Sequence, residues 1–405
     1  MKLKQSKKLL QRSKKVIPGG NTFSKTELFG QGITPFALTH GKGSVVYDVD
    51  NNAYTDYILG LGCINLGYSF KPVDDAIKKQ LDSGISFSLA HPLELTVAEK
   101  IIEMIPSAEM VRFGKNGSDV LSAAVKLARY ITKKDHIISC GYHGWHDWVI
   151  ANTSKPGGIP KNIARLSHKF EFNNINSLQK IINILDGDVS CVVMDLVSRY
   201  YPKPGFLEEV REITEKNNIV LIFDEIVTGF RMHNGGAQAY FNVIPDLSCF
   251  GKAIANGMPI SALVGKKKYM GKLDEIFFTL TFAGETLSLA AANATLDFYL
   301  KNDVSKNIFK KGKILKDGME KIIFEYELDD KICIEGMESR PILGFKNNVK
   351  NQSELTNYIV KYLCENNILS NISFFVNYSH TVKDIKVLID KIGNLFERLP
   401  AIIKT

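Results

Sequence analysis

From about residue 70 to residue 290 the chain alternates helical patterns with short, wholly apolar runs, and this rhythm limits its fold more than any other feature. Such runs include Cys191-Val192-Val193-Met194, Ile219-Val220-Leu221-Ile222-Phe223 and Ile260-Ser261-Ala262-Leu263-Val264-Gly265. A strand with no polar alternation is covered on both faces, and the intervening helices provide the cover. The expected class is therefore α/β, a mostly parallel sheet with helices on both faces. In such sheets the reacting groups gather at the carboxyl ends of the strands. Before this region, apolar residues alternate on either side of Asp50-Asn51-Asn52, the pattern of a β-hairpin. After a helix near Leu287–Ala294 the chain enters a smaller α+β portion that ends in an amphipathic helix around Val382–Leu399. The expected domains are residues 1–60 (arm and hairpin, part of the small domain), 61–290 (large domain) and 291–405 (small α+β domain).

At 405 residues, 45% hydrophobic and 23% charged, the chain can bury a large core and is long enough for two or three domains. No run of about 18 apolar residues occurs, so no stable membrane insertion is expected. The start Met1-Lys2-Leu3-Lys4-Gln5-Ser6-Lys7-Lys8 lacks the apolar core of a secretion signal, and the cytoplasm is the expected compartment. Six scattered cysteines with no Cys-x-x-Cys pair read as reduced thiols, neither a disulfide framework nor a metal site. The net charge of +8 resembles a nucleic-acid signal at first sight. Seven of the first fifteen residues are cations and none is an acid, which leaves +1 for everything else. The body is nearly neutral and no nucleic-acid partner is expected. The arm itself reads as a solvated terminal helix, with contact to an acidic partner or a membrane surface as the alternative.

Candidate chemistry begins with an ordered pair. Lys252 follows Asp224 by 28 positions, and each comes directly after an apolar run. A lysine amine can form a Schiff base with an aldehyde cofactor, and a buried carboxylate can hold a pyridine nitrogen protonated. A lone lysine after a strand is usually a surface residue, so the pair needs company. Val111-Arg112-Phe113-Gly114-Lys115-Asn116-Gly117-Ser118-Asp119-Val120 opens a helical run, and free amides at a helix start suit a phosphate. Asn-Gly-Ser-Asp is equally an ordinary turn with a cap. Gly141-Tyr142-His143-Gly144-Trp145-His146 follows a strand-like run, and a ring such as Tyr142 can stack on a flat heterocycle or simply fill a core.

Together these segments resemble the class III, fold-type I pyridoxal phosphate aminotransferases, most closely the glutamate-1-semialdehyde aminomutase-like branch. The likeness runs from Ile17-Pro18-Gly19-Gly20 to Ser379-His380-Thr381, and its most specific piece is Phe223-Asp224-Glu225-Ile226-Val227-Thr228-Gly229-Phe230-Arg231 followed by Phe250-Gly251-Lys252. The resemblance implies a largely seven-stranded sheet, pyridoxal 5'-phosphate as cofactor, Lys252 as the Schiff-base lysine and Asp224 as the pyridinium partner. It implies that Tyr142 and Ile226 sandwich the ring, that Gly117 and Ser118 bind the phosphate, and that Thr281 reaches the phosphate of a second subunit in a homodimer. The implied activity is transfer of an amino group from an amino acid donor, glutamate first, to a carbonyl acceptor. A sugar or small phosphorylated carbonyl compound of surface-polysaccharide synthesis is the acceptor expected by analogy.

Some positions depart from the family pattern. Its usual Glu-Pro after the middle strand is Asp195-Leu196 here, and an aminomutase arginine is replaced by Lys25. A lysine attracts an anion but cannot form the paired bonds of a guanidinium. Lys25, Arg340, His143 and Glu285 are the candidates for the substrate side. A 2,1-aminomutase or a racemase would use the same site, and a binding protein that kept the fold but not the reaction is the alternative from another class. His143 and His146 beside Asp147 have a spacing that could suit a metal, but no further ligand has a recognisable spacing and none is expected. The stretch Ser154-Lys155-Pro156-Gly157-Gly158-Ile159-Pro160, within residues 151–163, matches the position of a gating loop in the family.

Overall fold

The computed structural model describes residues 1–22, 32–197 and 199–403. Two compact units divide the chain: Met1–Phe70 with Asn307–Thr405, and Lys71–Lys306.

The strands, in chain order, begin with β1 (Leu38–Lys42), β2 (Val45–Asp48) and β3 (Ala53–Asp56). Those of the second unit are β4 (Met110–Gly114), β5 (His136–Cys140), β6 (Ser167–Lys169), β7 (Val189–Asp195), β8 (Val220–Asp224), β9 (Leu247–Phe250) and β10 (Ser261–Gly265). The chain then returns to the first unit with β11 (Ile332–Glu335), β12 (Ile342–Phe345) and β13 (Ile368–Leu369).

In the first unit β1, β2, β3 and β13 form one sheet in that order, and β11 pairs with β12. The hairpin at residues 50–52 forms as expected, because the Asp48 carboxylate gathers its turn. Asp48 Oδ1 accepts from the amides of Asp50 at 2.9 Å and Asn52 at 2.8 Å, while Oδ2 accepts from the Tyr54 hydroxyl at 3.0 Å. Asn51 takes the left-handed φ of 62° that asparagine tolerates. The C-terminal helix runs Val382–Phe396 and buries Ile385, Leu388, Ile392, Leu395 and Phe396. Thr381 and Asp384 cap its start reciprocally.

The second unit is built on a seven-stranded sheet of order β4-β10-β9-β8-β7-β5-β6. Strands β6, β5, β7, β8 and β9 pair in parallel, whereas β10 runs antiparallel to both β9 and β4. This is the mostly parallel sheet that the apolar runs predict. The runs at 191–194, 219–223 and 260–265 become β7, β8 and β10, with interiors fully buried. The helix Gly117–Thr132 packs Val120, Leu121, Ala124, Val125, Leu127 and Ala128 into a core shared with Val193, Ile222, Cys249 and Leu263. Parallel pairing also aligns the strand ends. Asp195 is the register partner of Asp224, and Asp224 that of Cys249. Groups far apart in the chain thus share one edge of the sheet.

Because Leu263 is fully buried in this core, Leu263→Ala is expected to cost about 2–5 kcal/mol, read as a lower urea midpoint with unchanged slope. A loss below about 1 kcal/mol would show that the core collapses into the space left behind.

Candidate active site

Asp224 closes β8 with its carboxylate 3% exposed. A buried carboxylate needs partners, and both oxygens have them. Oδ1 accepts from the Ile226 amide at 3.0 Å, and Oδ2 lies 2.8 Å from His143 Nδ1. His143, 1% exposed, has its other nitrogen 3.1 Å from the Cys140 carbonyl oxygen. Both ring nitrogens thus face pure acceptors, and the doubly protonated imidazolium is the form that satisfies both. Burial opposes that charge. The bond to Asp224 and the charges of Asp195 and Asp224 outweigh burial, and the His143 pKa is raised above its ordinary value. The Trp148 ring stacks on His143 at 6.2 Å between centroids.

Asp195, beside Asp224 in register, is a second carboxylate in the same place. Burial first, and then the charge of Asp224, push its pKa up to about 7, with His143 and Lys252 pulling in the other direction. Its Oδ2 accepts from the Tyr142 amide at 3.2 Å. Gly141 makes that approach possible: its φ is 115°, and a Cβ there would lie 2.3 Å from Asp195 Oδ2. The ligand atoms of His143, Asp195 and Asp224 lie within 4.8 Å of one another, a composition that can hold a cation. His143 engages both nitrogens elsewhere, however, and would have to give up Asp224 to bind one. His146 is drawn away to Ser122 Oγ, 2.6 Å from its Nδ1, so it does not join His143 in a metal site.

Lys252 begins a short 3-10 turn directly after β9 and Gly251, in the left-handed region at φ 43°. A residue with a side chain held there is strained, as is common where a structure positions a functional group. Its charge pulls the pKa of Asp195 down, against the effect of burial. The helix Gly117–Thr132 starts at the same edge with Gly117 and Ser118. A Cβ on Gly117 or on Gly251 would lie 3.1 Å from Ile226 Cδ1, so Ile226 lies between the helix start and the approach to Lys252. Gly144, at φ 97°, passes so close to Ser118 that a Cβ would be 2.1 Å from its Oγ. Tyr142 exposes 64% of its surface. The sheet edge thus brings together a buried carboxylate, the amides of a helix start and the Ile226 side chain, with Lys252 directly after Gly251. A buried carboxylate, the free amides of a helix start and a lysine are the groups that pyridoxal phosphate requires, so the residues present fit it.

The remaining candidates are placed differently. Glu285 caps the helix Thr286–Lys301, accepting from the amides of Leu287 and Ser288 and from Ser288 Oγ at 2.6 Å. It also pairs with Lys115 at 2.9 Å, and together these bonds hold its pKa low against the effect of burial. Thr281 lies on an exposed turn. Arg340 belongs to the other compact unit, where it donates to Ser373 Oγ at 2.9 Å and lies over the Phe375 ring. Lys25 lies outside the described residues. The segment 151–160 is a series of turns leading into the helix Lys161–Arg165.

The family model for class-III aminotransferases matches residues 29–338. The 3-aminobutyryl-CoA aminotransferase of Cloacimonas acidaminovorans is 34% identical over 97% of this chain and 96% of its own. The glutamate-1-semialdehyde 2,1-aminomutase of Methanobrevibacter smithii is 39% identical over 79% of this chain and 78% of its own. Among solved structures, the FumI protein of Sphingopyxis sp. MTA144, determined in a PLP form, superposes with a TM-score of 0.91 at 25% identity, covering 98% of this chain and 97% of that one. The chain belongs to the class-III aminotransferase family, and it is an enzyme of that pyridoxal phosphate-dependent type.

The two buried groups make stability pH-dependent. Asp195, whose folded pKa is raised from 3.8 to about 7, binds more protons folded than unfolded across that window. His143, raised from 6.5, does so at higher pH. Both contributions therefore fall away as pH rises. Asp195→Asn keeps an acceptor for the Tyr142 amide and removes one charge, so this variant should melt above the parent protein near pH 8, with the gap closing toward about pH 4. A pH-independent gap in the melting profiles would mean that Asp195 does not carry this linkage.

Proposed function

We propose that the protein transfers an amino group from an amino acid donor, glutamate first, to a carbonyl acceptor, a sugar or a small phosphorylated carbonyl compound. The observation that carries this reading is the buried Asp224–His143 pair at the strand ends, with Lys252 directly after the end of the neighbouring strand β9. Bound there, pyridoxal phosphate supplies an aldehyde carbon for the amine and a ring that withdraws electrons. The residues around it hold that chemistry in place. His143 holds the Asp224 carboxylate in place, and that carboxylate would be the partner of the ring nitrogen. Lys252 Nζ is the base for the donor's α-proton and returns a proton on the acceptor side. Gly117 and Ser118 meet the phosphate with the amides of a helix start, Ile226 supports one face of the ring, and Tyr142 covers the other.

Two further features of the reading are assembly and compartment. Phe87, Leu89, Leu95 and Phe282 expose apolar side chains, and Phe282 follows Thr281 on its turn, an apolar surface open to a partner. The bond from the Thr286 amide to the Ile85 carbonyl, 2.9 Å, ties that turn to the segment with Phe87 and Leu89. A second copy of the chain is the partner we propose for it, with Thr281 directed at the other protomer's phosphate. Six free cysteines suit a reducing compartment, and the cytoplasm is our proposal.

The aminomutase relative at 39% identity supports a second reading, in which the amino group stays within one molecule. Incubation with nitrogen-labelled glutamate and a panel of carbonyl compounds, followed by mass spectrometry, separates the two. Amino transfer predicts labelled product from an added carbonyl compound, borohydride-stable cofactor on Lys252, and a loss of roughly 10²–10³-fold or more in Asp224→Asn. Label that stays on glutamate, while glutamate-1-semialdehyde included in the panel isomerises with its own unlabelled nitrogen, would replace transfer by the mutase reading.

The role of Thr281 is tested separately. Thr281→Ala should lose cofactor on dialysis at least about tenfold faster while Lys252 still accepts it, as removal of one charge-assisted phosphate contact predicts. Unchanged retention in a stable dimer would take Thr281 out of the phosphate site.

A further inference from the structure

Seven of the chain's eight net positive charges lie in residues 2–15, and the structure gives them a shape. The helix Lys4–Ser13 is held down along its inner side. The amides of Gln5 and Ser6 donate to the two Asp50 oxygens at 2.7 and 2.9 Å, and Ser6 Oγ accepts from the Phe36 amide at 3.3 Å. Asn52 Nδ2 donates to the Lys2 carbonyl at 2.8 Å, and the Ser13 hydroxyl bonds the Gly20 carbonyl. Ser6 is buried, while Leu9, Leu10 and Ser13 are half-buried on this side. Lys4, Lys7, Lys8 and Arg12 recur at helical spacing on the opposite face. They are exposed, as are Lys2, Lys14 and Lys15, and among the described residues none of the seven forms an ion pair with an acidic side chain. Val16, 79% exposed, follows directly.

We propose that this helix is a docking face for the anionic headgroups of a lipid bilayer. A helix fastened along one side offers only its outer face, and here that face is lined with cations that match a flat, negatively charged surface. Residues 1–20 contain no aromatic side chain to stack on bases, and six of the seven cations are lysines, which suit diffuse attraction better than bidentate phosphate recognition. Val16 adds an apolar side chain that can enter the headgroup layer. No helix among the described residues is long and apolar enough to cross a membrane, so the attachment is peripheral and reversible. Each cation brought to such a surface raises partitioning about fivefold. The nearly neutral remainder of the chain leaves this face to orient the molecule.

Flotation of the holoenzyme with vesicles tests the proposal. The protein should float with phosphatidylcholine–phosphatidylglycerol vesicles, remain behind with phosphatidylcholine alone, and be released at about 0.5 M salt. The combined variant Lys4→Gln, Lys7→Gln, Lys8→Gln, Arg12→Gln should bind at least about 50-fold more weakly with amino transfer unchanged, while arginine at the three lysine positions should preserve binding. Equal flotation on both vesicle types, or an unaltered glutamine variant, overturns the proposal. So does tighter, charge-dependent binding to duplex DNA than to the anionic vesicles, which would make the partner a nucleic acid.

Discussion

The site depends on one buried pair of polar side chains. Asp224 lies inside the protein at the end of β8, where a carboxyl group without partners would be costly. His143 supplies the partner by presenting one N–H to Asp224 while its other N–H is held by the Cys140 carbonyl. Burial works against a charge on the imidazole, and the bond to Asp224 with the nearby carboxyl groups outweighs it. Each side chain is therefore a condition for the other. The aligned strand ends of β5, β7 and β8 bring them together, so the parallel sheet is as much a part of the site as the side chains.

Much of this was legible in the sequence. Apolar runs marked β7, β8 and β10, because strands covered on both faces need no polar alternation. Asp224 and Lys252 could be placed at strand ends for the same reason, and Asp50-Asn51-Asn52 marked the turn that Asp48 organises. Strand order was not legible. That β10 lies antiparallel between β4 and β9, or that β13 pairs in parallel with β3, follows from long-range pairing that local patterns do not record.

The partnership of His143 with Asp224 was hidden for a similar reason. The two residues are 81 positions apart, and only the β5–β7–β8 register makes them neighbours. Within its own segment His143 looked like a candidate for substrate or, with His146, for metal. The direction of each ring is a tertiary fact: His146 turns to Ser122, His143 to Asp224. Glu285 is comparable. Its position before an apolar helix fits a cap as well as a substrate contact, and its bonds to Leu287, Ser288 and Lys115 depend on the helix start and β4 lying side by side.

Asp195 shows how one departure from the family pattern is absorbed. Where the family usually carries glutamate, this chain carries the shorter aspartate, and the space its carboxylate occupies is closely defined. Oδ2 lies against Gly141 and takes the Tyr142 amide. A side chain one methylene longer, on the same backbone, would drive its carboxylate into the Gly141–Tyr142 turn or turn away from it. The turn in turn sets where the Tyr142 ring stands. Aspartate at this position and glycine at 141 are thus one device, through which the end of β7 holds the turn after β5 while the end of β8 holds His143.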